Sequence, residues 1–226
     1  MKWFAYIKYF AYLAWNWNIP IAWRIIREEV RGEKKYGIQS TGADELESLG
    51  ELGIDTEHAT IYMPVSYKLL EEIFGQLNSV REPIPFTHFI DIGCGKGRAL
   101  CVAAAFGFQK LTGIDFSKEL CDAANQNLAV TQHQFPNLRY KIINNDAFYF
   151  EIPADADCIF LFNPFDEVIL GGVVENIQKS MQANPRPLRI LYVNPLHKEL
   201  FLAAGCTEIW HVQKMKYLEA SILAWP

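Results

Sequence analysis

The chain has 226 residues, of which 50% are hydrophobic and 14% aromatic, and its formal net charge is −5. This length and apolar content predict one full-sized domain, or one domain with a helical extension, and exclude a largely disordered chain. The acidic balance argues against a basic nucleic-acid-binding protein. The five cysteines include no CxxC pair, so the sequence predicts neither a disulfide framework nor a metal site and favours the reducing cytoplasm.

The first 40 residues form a basic, aromatic segment. They carry seven Lys and Arg against three Glu, a net charge of +4, whereas the rest of the chain carries −9. Lys8 and Pro20 interrupt the apolar stretch before the roughly 20 residues that a membrane span requires. Two interpretations stay open: a helix packed on the main domain, or an interfacial anchor through which residues 1–30 contact the inner membrane peripherally. The anchoring side chains would be Trp3, Trp15, Trp17 and Trp23.

The region before residue 88 predicts a helical extension, because its apolar residues recur at helical spacing and Gly and Pro interrupt them. The predicted elements are, in chain order, one or two helices over 3–31 broken near Asn18 and Pro20, a polar connector over 31–42, an acidic loop or solvated helix face over 44–57, a turn over 62–67 and a helix over 66–77.

From residue 88 onward, short apolar runs alternate with helical patterns. The predicted strands are 88–92, 110–115, 139–143, 157–162, 188–193, 206–213 and 218–225, and the predicted helices are 97–106, 117–130, 166–183 and 196–204. Such alternation predicts an α/β fold with a mostly parallel seven-stranded sheet and right-handed crossovers. The last two strands have no helix between them, so we expect an antiparallel hairpin at one edge.

Gly93, Gly95 and Gly97, in DIGCGKG, follow a buried-strand pattern and precede a helix. Such a turn lets backbone N–H groups approach a ligand closely. A triphosphate-binding loop requires GxxxxGK followed by Ser or Thr, but Gly97 follows Lys96 and no glycine lies five positions before Gly95. A dinucleotide-binding loop requires GxGxxG, but the sixth position from Gly93 is Arg98. The sequence therefore disfavours both ligands.

Three acids follow three successive predicted strands. Asp91 would repel a pyrophosphate and suits a cationic ligand such as S-adenosylmethionine, which carries an ammonium, a sulfonium and no phosphate. Asp115 ends the second strand, where an acid can accept both ribose hydroxyls, and Phe116 after it can pack on adenine. Asp146 can accept from the adenine N6 amine, with the Ala147 N–H donating to a ring nitrogen. These residues predict one cofactor site at the carboxyl edge of the sheet.

With DIGCGKG, GIDFS and NNDAF in this order, the chain resembles the class I S-adenosylmethionine-dependent methyltransferases over about residues 88–225. The resemblance implies a Rossmann-like, doubly wound sheet with S-adenosylmethionine as cofactor. It also implies roles for the residues: Asp91 and the glycine loop, with Gly93, Cys94, Gly95 and Gly97, at the methionine end, Asp115 at the ribose and Asp146 at the adenine. WNWNIPIAW, KYGI, YMPVSY and LFNPF look like a bacterial group of methyltransferases of uncertain substrate.

The fourth predicted strand ends in Asn163, Pro164 and Phe165. In amino-methylating members of the superfamily, an Asn/Asp-Pro-Pro-aromatic motif at this place orients a planar nitrogen toward the sulfonium methyl, and such positioning supplies most of what methyl transfer requires. One proline is missing here. The resemblance therefore implies Asn163 and Phe165 as catalytic residues, with N-methylation slightly ahead of O-methylation and a simple Pro-terminated strand as the alternative.

For several other polar residues, helix capping is an alternative to a role in cofactor binding or catalysis. Asp115 or Ser117 could cap the helix that follows, and Asp166 could cap the next one instead of acting as a base. His197, just past the fifth strand, could reach the crevice as a base, but a lone His near a helix start is more often exposed or capping.

We expect residues 1–87 to form a helical extension and lid, and residues 88–226 to form the S-adenosylmethionine-binding domain. In related methyltransferases the stretch before the first strand folds over the cofactor, so Tyr62, Ser66 and Tyr67 could contact the methionine moiety or the acceptor. Packing of both tyrosines in the core is the alternative.

The predicted function is a methyltransferase acting on a protein or a small molecule, because the acidic body offers no phosphate track for nucleic acid. One alternative is a cofactor-binding, non-catalytic module that works through its N-terminus at a membrane or partner. A nicotinamide oxidoreductase is disfavoured by Asp91 and by the missing sixth glycine.

Overall fold

The computed structural model describes residues 2–42, 64–79, 87–162, 165–214 and 218–226. The predicted acidic segment at 44–57 lies outside these residues. The described helices are α1 Lys2–Asn16, α2 Ile19–Tyr36, α3 Tyr67–Ser79, α4 Arg98–Ala105, α5 Lys118–Gln134, α6 Glu167–Ala183 and α7 Lys198–Ala203. The described strands are β1 His88–Ile92, β2 Lys110–Asp115, β3 Arg139–Asn144, β4 Cys158–Phe162, β5 Arg189–Val193, β6 Thr207–Lys214 and β7 Leu218–Ala224, and a 3₁₀ turn covers Ala147–Tyr149.

The predicted break between the first two helices is confirmed. The Asn18 side chain accepts a hydrogen bond from the Ile21 N–H at 2.9 Å, and Pro20 occupies the first turn of α2. Both features are typical of a helix N-terminus, where the first N–H groups have no partner within the helix.

The predicted end of the second helix near residue 31 is wrong. Helix α2 continues to Tyr36 and ends at Gly37, whose φ of 72° gives the left-handed conformation of a helix C-cap. Gly32, which suggested a connector, is instead a packing position: a Cβ on Gly32 would lie 2.1 Å from Cδ2 of Tyr67. The connector is therefore shorter than predicted.

The strands form one seven-stranded sheet in the order β3-β2-β1-β4-β5-β7-β6. Strands β3, β2, β1, β4 and β5 pair with their neighbours in parallel. Strand β7 pairs antiparallel with both β5 and β6. The predicted fold class, a mostly parallel sheet with a C-terminal antiparallel hairpin, is confirmed. Strand β7 inserts between β5 and β6, so β6 forms the edge.

Helices cover both faces of the sheet, because successive strand residues point to opposite sides. Phe89 and Phe160 pack with α3, α4 and α5 on one face. Ile90 and Ile159 pack with α6 and α7 on the other face. All five residues of β1 are buried, as a central parallel strand requires.

The strand order reverses direction beside β1. The chain passes from β1 outward to β2 and β3 on one side, and then returns to β4 and β5 on the other. The two crossovers that leave the carboxyl ends of β1 and β4 thus diverge and open a crevice, where open α/β sheets bind ligands.

None of the helices within the described ranges combines the length and apolar character needed to cross a membrane.

Candidate functional site

The glycine loop between β1 and α4 has the backbone that its sequence predicts. Gly93, Gly95 and Gly97 adopt positive φ values of 79°, 51° and 75°, which side-chain-bearing residues rarely adopt. The Gly93 and Cys94 N–H groups both donate to the Ile114 carbonyl at 2.9 Å. The loop therefore folds back over the end of β2.

Asp115 fastens this loop at the carboxyl end of β2. Its Oδ2 accepts the Gly95 N–H at 2.8 Å, and its Oδ1 accepts the Ser117 N–H at 3.0 Å. Ser117, in turn, caps α5 by accepting from the Leu120 N–H at 3.3 Å. The capping role that competed for Asp115 or Ser117 thus belongs to Ser117, and the Asp115 carboxylate faces the glycine loop.

Asp91 is a buried carboxyl group at the carboxyl end of β1, only 3% exposed. Burial, and then the charge of Asp115, raise the pKa of Asp91 well above its ordinary value. No side chain or N–H in the described part of the chain donates a hydrogen bond to this carboxylate. Burying an ionised group without a partner is costly, so Asp91 fits a ligand that brings positive charge to the site.

The segment after β3 adds the third acid. Asp146 is exposed and accepts the Phe148 N–H at 2.8 Å, while Ala147 is buried at the start of the 3₁₀ turn. The Asn144 side chain donates to the Asp115 and Phe116 carbonyls at 3.1 and 2.7 Å. These hydrogen bonds join the ends of β2 and β3. The predicted residues after β1, β2 and β3 thus lie at one edge of the sheet: Asp91, Asp115, Phe116, Asp146 and Ala147.

At the end of β4, Asn163 lies outside the described residues, and so does Pro164. Phe165 is half-buried and packs against the core beneath α6. Asp166 caps α6 by accepting the Ile169 N–H at 3.0 Å, which is the simpler of its two predicted roles. His197 is 27% exposed and lies 3.6 Å from the Glu199 carboxylate.

The predicted lid residues divide into two groups. Tyr62 lies outside the described residues. Tyr67 is fully buried, with its hydroxyl 2.9 Å from the Ser40 hydroxyl, and the Ser66 hydroxyl donates to Glu28 at 2.6 Å. Both side chains therefore face α2 and the segment after it, and the core-packing interpretation of Tyr67 is the correct one.

A buried ion pair beside the glycine loop was missed by the sequence analysis. Arg98, the residue after the loop, is 3% exposed, and its Nη1 donates to Glu29 at 2.9 Å and to the Val65 carbonyl at 2.7 Å. Its Nε donates to the Ser40 hydroxyl at 2.9 Å, and its guanidinium lies 4.0 Å from the centre of the Tyr67 ring. The only sequence signal is an arginine placed directly after the last glycine, which names no partner.

The segment 38–42 follows α2 and is fixed against the same loop. Glu33 accepts the Ser40 and Thr41 N–H groups, both at 2.7 Å. The Asn127 amide of α5 donates to the Gln39 carbonyl at 3.0 Å and to the Lys96 carbonyl at 2.8 Å. Asn127 of α5 therefore links the segment after α2 to the glycine loop.

Comparison with known proteins gives one family match. Residues 90–188 match the family model described as a methyltransferase domain. This range includes the glycine loop, Asp115, Asp146 and Phe165. No curated protein matches the chain in sequence.

Several solved structures share the fold. The protein yhhF from Escherichia coli, a provisionally assigned methyltransferase, has a TM-score of 0.55 at 14% identity, covering 72% of this chain and 89% of that one. StiE O-MT has a TM-score of 0.50 at 13% identity, covering 68% and 72%. The pyocyanin biosynthetic protein PhzM has a TM-score of 0.50 at 14% identity, covering 68% of this chain and 54% of that one.

The order of the strands, the fastened glycine loop and the family match agree with the resemblance seen in the sequence. A buried carboxyl that accepts no hydrogen bond from the described residues and a loop of left-handed glycines fit a cationic ligand that approaches the backbone closely. These findings are consistent with a class I S-adenosylmethionine-dependent methyltransferase and indicate S-adenosylmethionine as the cofactor.

Proposed function

We propose that this methyltransferase binds its cofactor across the carboxyl ends of β1, β2 and β3 and transfers the methyl group to a nitrogen or oxygen held after β4. The proposed cofactor-binding residues are Asp91, Gly93, Cys94, Gly95, Gly97, Asp115, Phe116, Asp146 and Ala147, with Asn163 and Tyr62. The Cys94 thiol is buried beside Gly113, so the role proposed for Cys94 is that of its backbone.

The observation that carries this proposal is the double hydrogen bond of Asp115. Each of its oxygens accepts one backbone N–H, at 2.8 and 3.0 Å. A carboxylate has about four acceptor sites, so acceptor capacity remains for a ribose hydroxyl. The same side chain can therefore order the glycine loop and bind the ribose.

The two flanking acids suit the two ends of the cofactor. Asp91 is buried and without a partner among the described residues, which favours an ammonium group beside it. Asp146 is exposed and keeps one oxygen free of the Phe148 N–H, so it can accept from the adenine amine. Phe116 is half-buried at the end of β2 and offers a ring to the adenine face.

The acceptor site is proposed at the end of β4, next to β1 in the sheet, where Asp91 lies opposite Phe160. When bound, S-adenosylmethionine supplies an electrophilic methyl group at this place. Asn163 would accept N–H bonds from a planar nitrogen, and the Phe165 ring would stack on it, so that the lone pair faces the methyl carbon. A nitrogen acceptor is favoured slightly over an oxygen acceptor, because the side-chain amide of Asn163, just before Pro164, could accept the N–H bonds of a planar nitrogen.

A protein or a small molecule is the proposed acceptor class. The chain outside its first 40 residues carries a net charge of −9, which disfavours a phosphate backbone. The alternative of a non-catalytic cofactor-binding module has no support from the family match.

The first test is calorimetric titration of S-adenosylhomocysteine into the wild type, Asp115→Asn and Asp122→Asn. An asparagine at 115 must turn its NH₂ toward one of two N–H donors, so we expect affinity at least about tenfold weaker, or 1.4 kcal/mol. Asp122 is an exposed carboxylate on α5, and its variant should bind as the wild type does. Wild-type affinity in Asp115→Asn, or competition by NAD, would contradict the proposed site.

The acceptor site is tested with Phe165→Ala and methyl-labelled S-adenosylmethionine in a cell extract. We expect the variant to keep its affinity for S-adenosylhomocysteine and to lose label transfer, since Phe165 would contact the acceptor and not the cofactor. Separation of labelled protein from labelled small molecules identifies the acceptor class. Undiminished transfer would place the acceptor elsewhere.

A further inference from the structure

The outer surface of the first two helices is unusually apolar. We call residues 2–27, which include α1, the turn and the first half of α2, the N-terminal hairpin. Within it Trp15 is 91% exposed, Trp3 76% and Trp23 65%. Trp17, Ile19 and Ile7 are also exposed. Soluble monomers rarely expose so many large apolar side chains in one contiguous place, and such patches mark interaction surfaces.

These side chains are not needed to hold the hairpin together. Tyr9 and Leu13 of α1 are buried against Ala22 of α2, and they form the contact between the two helices. The exposed tryptophans lie on the remaining faces and at the turn. Trp3, Trp15 and Trp23 are therefore accessible to a partner outside the described fold.

The charges of the hairpin limit which partner can cover it. Residues 2–27 include four cations, Lys2, Lys8, Arg24 and Arg27, and no acid. The rest of the chain, from residue 28, has a net charge of −9. The Lys8, Arg24 and Arg27 side chains are exposed beside the apolar ones, so the surface is apolar and positive.

We propose that the N-terminal hairpin binds peripherally to an anionic lipid surface. Indole rings settle at the boundary between headgroups and acyl chains, where one side is apolar and the other wet. The basic side chains can extend to lipid phosphates. The hairpin lies in the interface and does not cross it, in keeping with helices of this composition.

A second copy of the chain fits the surface less well. A two-fold contact would place each hairpin against the same patch on its partner, and it would oppose two sets of four cations without any acid. An anionic surface removes this repulsion. Charge complementarity therefore favours lipid over self-association.

The test is co-sedimentation of the full chain with vesicles. Vesicles of phosphatidylcholine with about 30 mol% phosphatidylglycerol should carry the protein into the pellet and shift tryptophan emission to the blue, because an anionic surface attracts basic side chains. Pure phosphatidylcholine vesicles should bind it at least about tenfold less, and added salt should weaken binding to the anionic vesicles.

Two double variants separate the apolar and electrostatic contributions. One double variant combines Trp15→Ser with Trp23→Ser, and the other combines Arg24→Glu with Arg27→Glu. We expect each double variant to bind the anionic vesicles at least about tenfold more weakly than the wild type. Leu202→Ser on α7 and Lys179→Glu on α6 are the matched controls, exposed and outside the hairpin, and should bind as the wild type does. Circular dichroism and titration with S-adenosylhomocysteine verify that every variant is folded.

Three results would overturn the proposal. The first is the absence of binding to the anionic vesicles, and the second is binding that the hairpin variants leave unchanged. The third is a wild-type dimer in sedimentation velocity that the tryptophan variants convert to a monomer, since the patch would then be an interface between copies.

Discussion

Asp91 and Asp115 place two carboxyl groups in one buried space. Burial and the charge of Asp115 raise the pKa of Asp91, and burial raises the pKa of Asp115 although Ser117 and Gly95 donate to it. A carboxyl whose pKa is higher in the folded state than in the unfolded state favours folding only while it is protonated. The stability it contributes is complete below its ordinary pKa, near 3.8, and is lost as the pH rises through the folded-state value. A bound cation instead favours the ionised carboxylate.

The first prediction concerns Asp91→Asn. The variant should raise the melting temperature of the ligand-free protein at neutral pH, because it removes a buried charge, and it should weaken binding of S-adenosylhomocysteine. Wild-type affinity should increase as the pH rises from the ordinary carboxyl value, near 3.8, toward neutral and Asp91 ionises, while the affinity of the variant stays flat. Scanning calorimetry and titration over this pH range measure both effects.

Asp122→Asn, at an exposed position, should change neither the melting temperature nor the affinity. A lower melting temperature for Asp91→Asn at neutral pH would mean that Asp91 has a stabilising partner in the free protein.

At the scale of elements, helix α6 positions the turn that follows β3. The Asn176 side chain donates to the Phe148 carbonyl at 2.8 Å. A Cβ on Gly172 would lie 2.4 Å from the Phe148 ring, whereas a Cβ on Gly171 would meet nothing within 4 Å. Gly172 is therefore a close-approach position, and its neighbour in the same helix is not.

The second prediction uses this pair of glycines. Gly172→Ala should displace Phe148 and the adjoining Asp146 and Ala147, and so weaken binding of S-adenosylhomocysteine by about tenfold, or 1.4 kcal/mol. Gly171→Ala should leave affinity unchanged and stabilise α6 by roughly 0.5–1 kcal/mol, since alanine favours helices. Calorimetric titration and urea unfolding measure the two effects. Equal affinities for the two variants would show that the turn tolerates the shift.

At the scale of the whole molecule, the N-terminal extension is tied to the sheet domain by the contact between Glu29 and Arg98. The side chains are 4% and 3% exposed and lie 69 positions apart in the chain. A buried ion pair contributes little net stability, but the loss of one partner leaves the other charge uncompensated. Deletion of residues 1–40 would remove Glu29, Glu33 and Ser40 together, so a single substitution is the sharper test.

The third prediction is that Glu29→Gln lowers the free energy of unfolding by about 3–5 kcal/mol and weakens cofactor binding through the glycine loop. Arg31→Ala is the control on the same helix. Arg31 pairs with Glu71 at 3.1 Å with its side chain 46% exposed, and its loss should cost at most about 1 kcal/mol. Urea unfolding measures both variants. Similar losses in the two would mean that the buried pair does not hold the extension.

The sequence by itself determined the sheet, the glycine loop and the acids at the ends of β1 to β3. These features are local: apolar runs of five or six residues specify buried strands, and the glycines between them mark the turn. The strand order β3-β2-β1-β4-β5-β7-β6 came from the tertiary structure. The predicted end of the second helix at residue 31 was wrong, because Gly32 has the same local sequence pattern whether it ends a helix or makes room for an aromatic ring inside one.

Only the tertiary structure decided what surrounds the loop. Tyr67 packs on Gly32 and beneath Arg98, and Arg98 finds Glu29 far away in sequence. The Asp115 carboxylate orders Gly95, twenty positions earlier. Such pairings depend on which elements meet in space, and propensity and periodicity carry no information about that. The glycines and acids at the ends of β1 to β3 could therefore be predicted from local pattern, while the side chains that hold them in place could not.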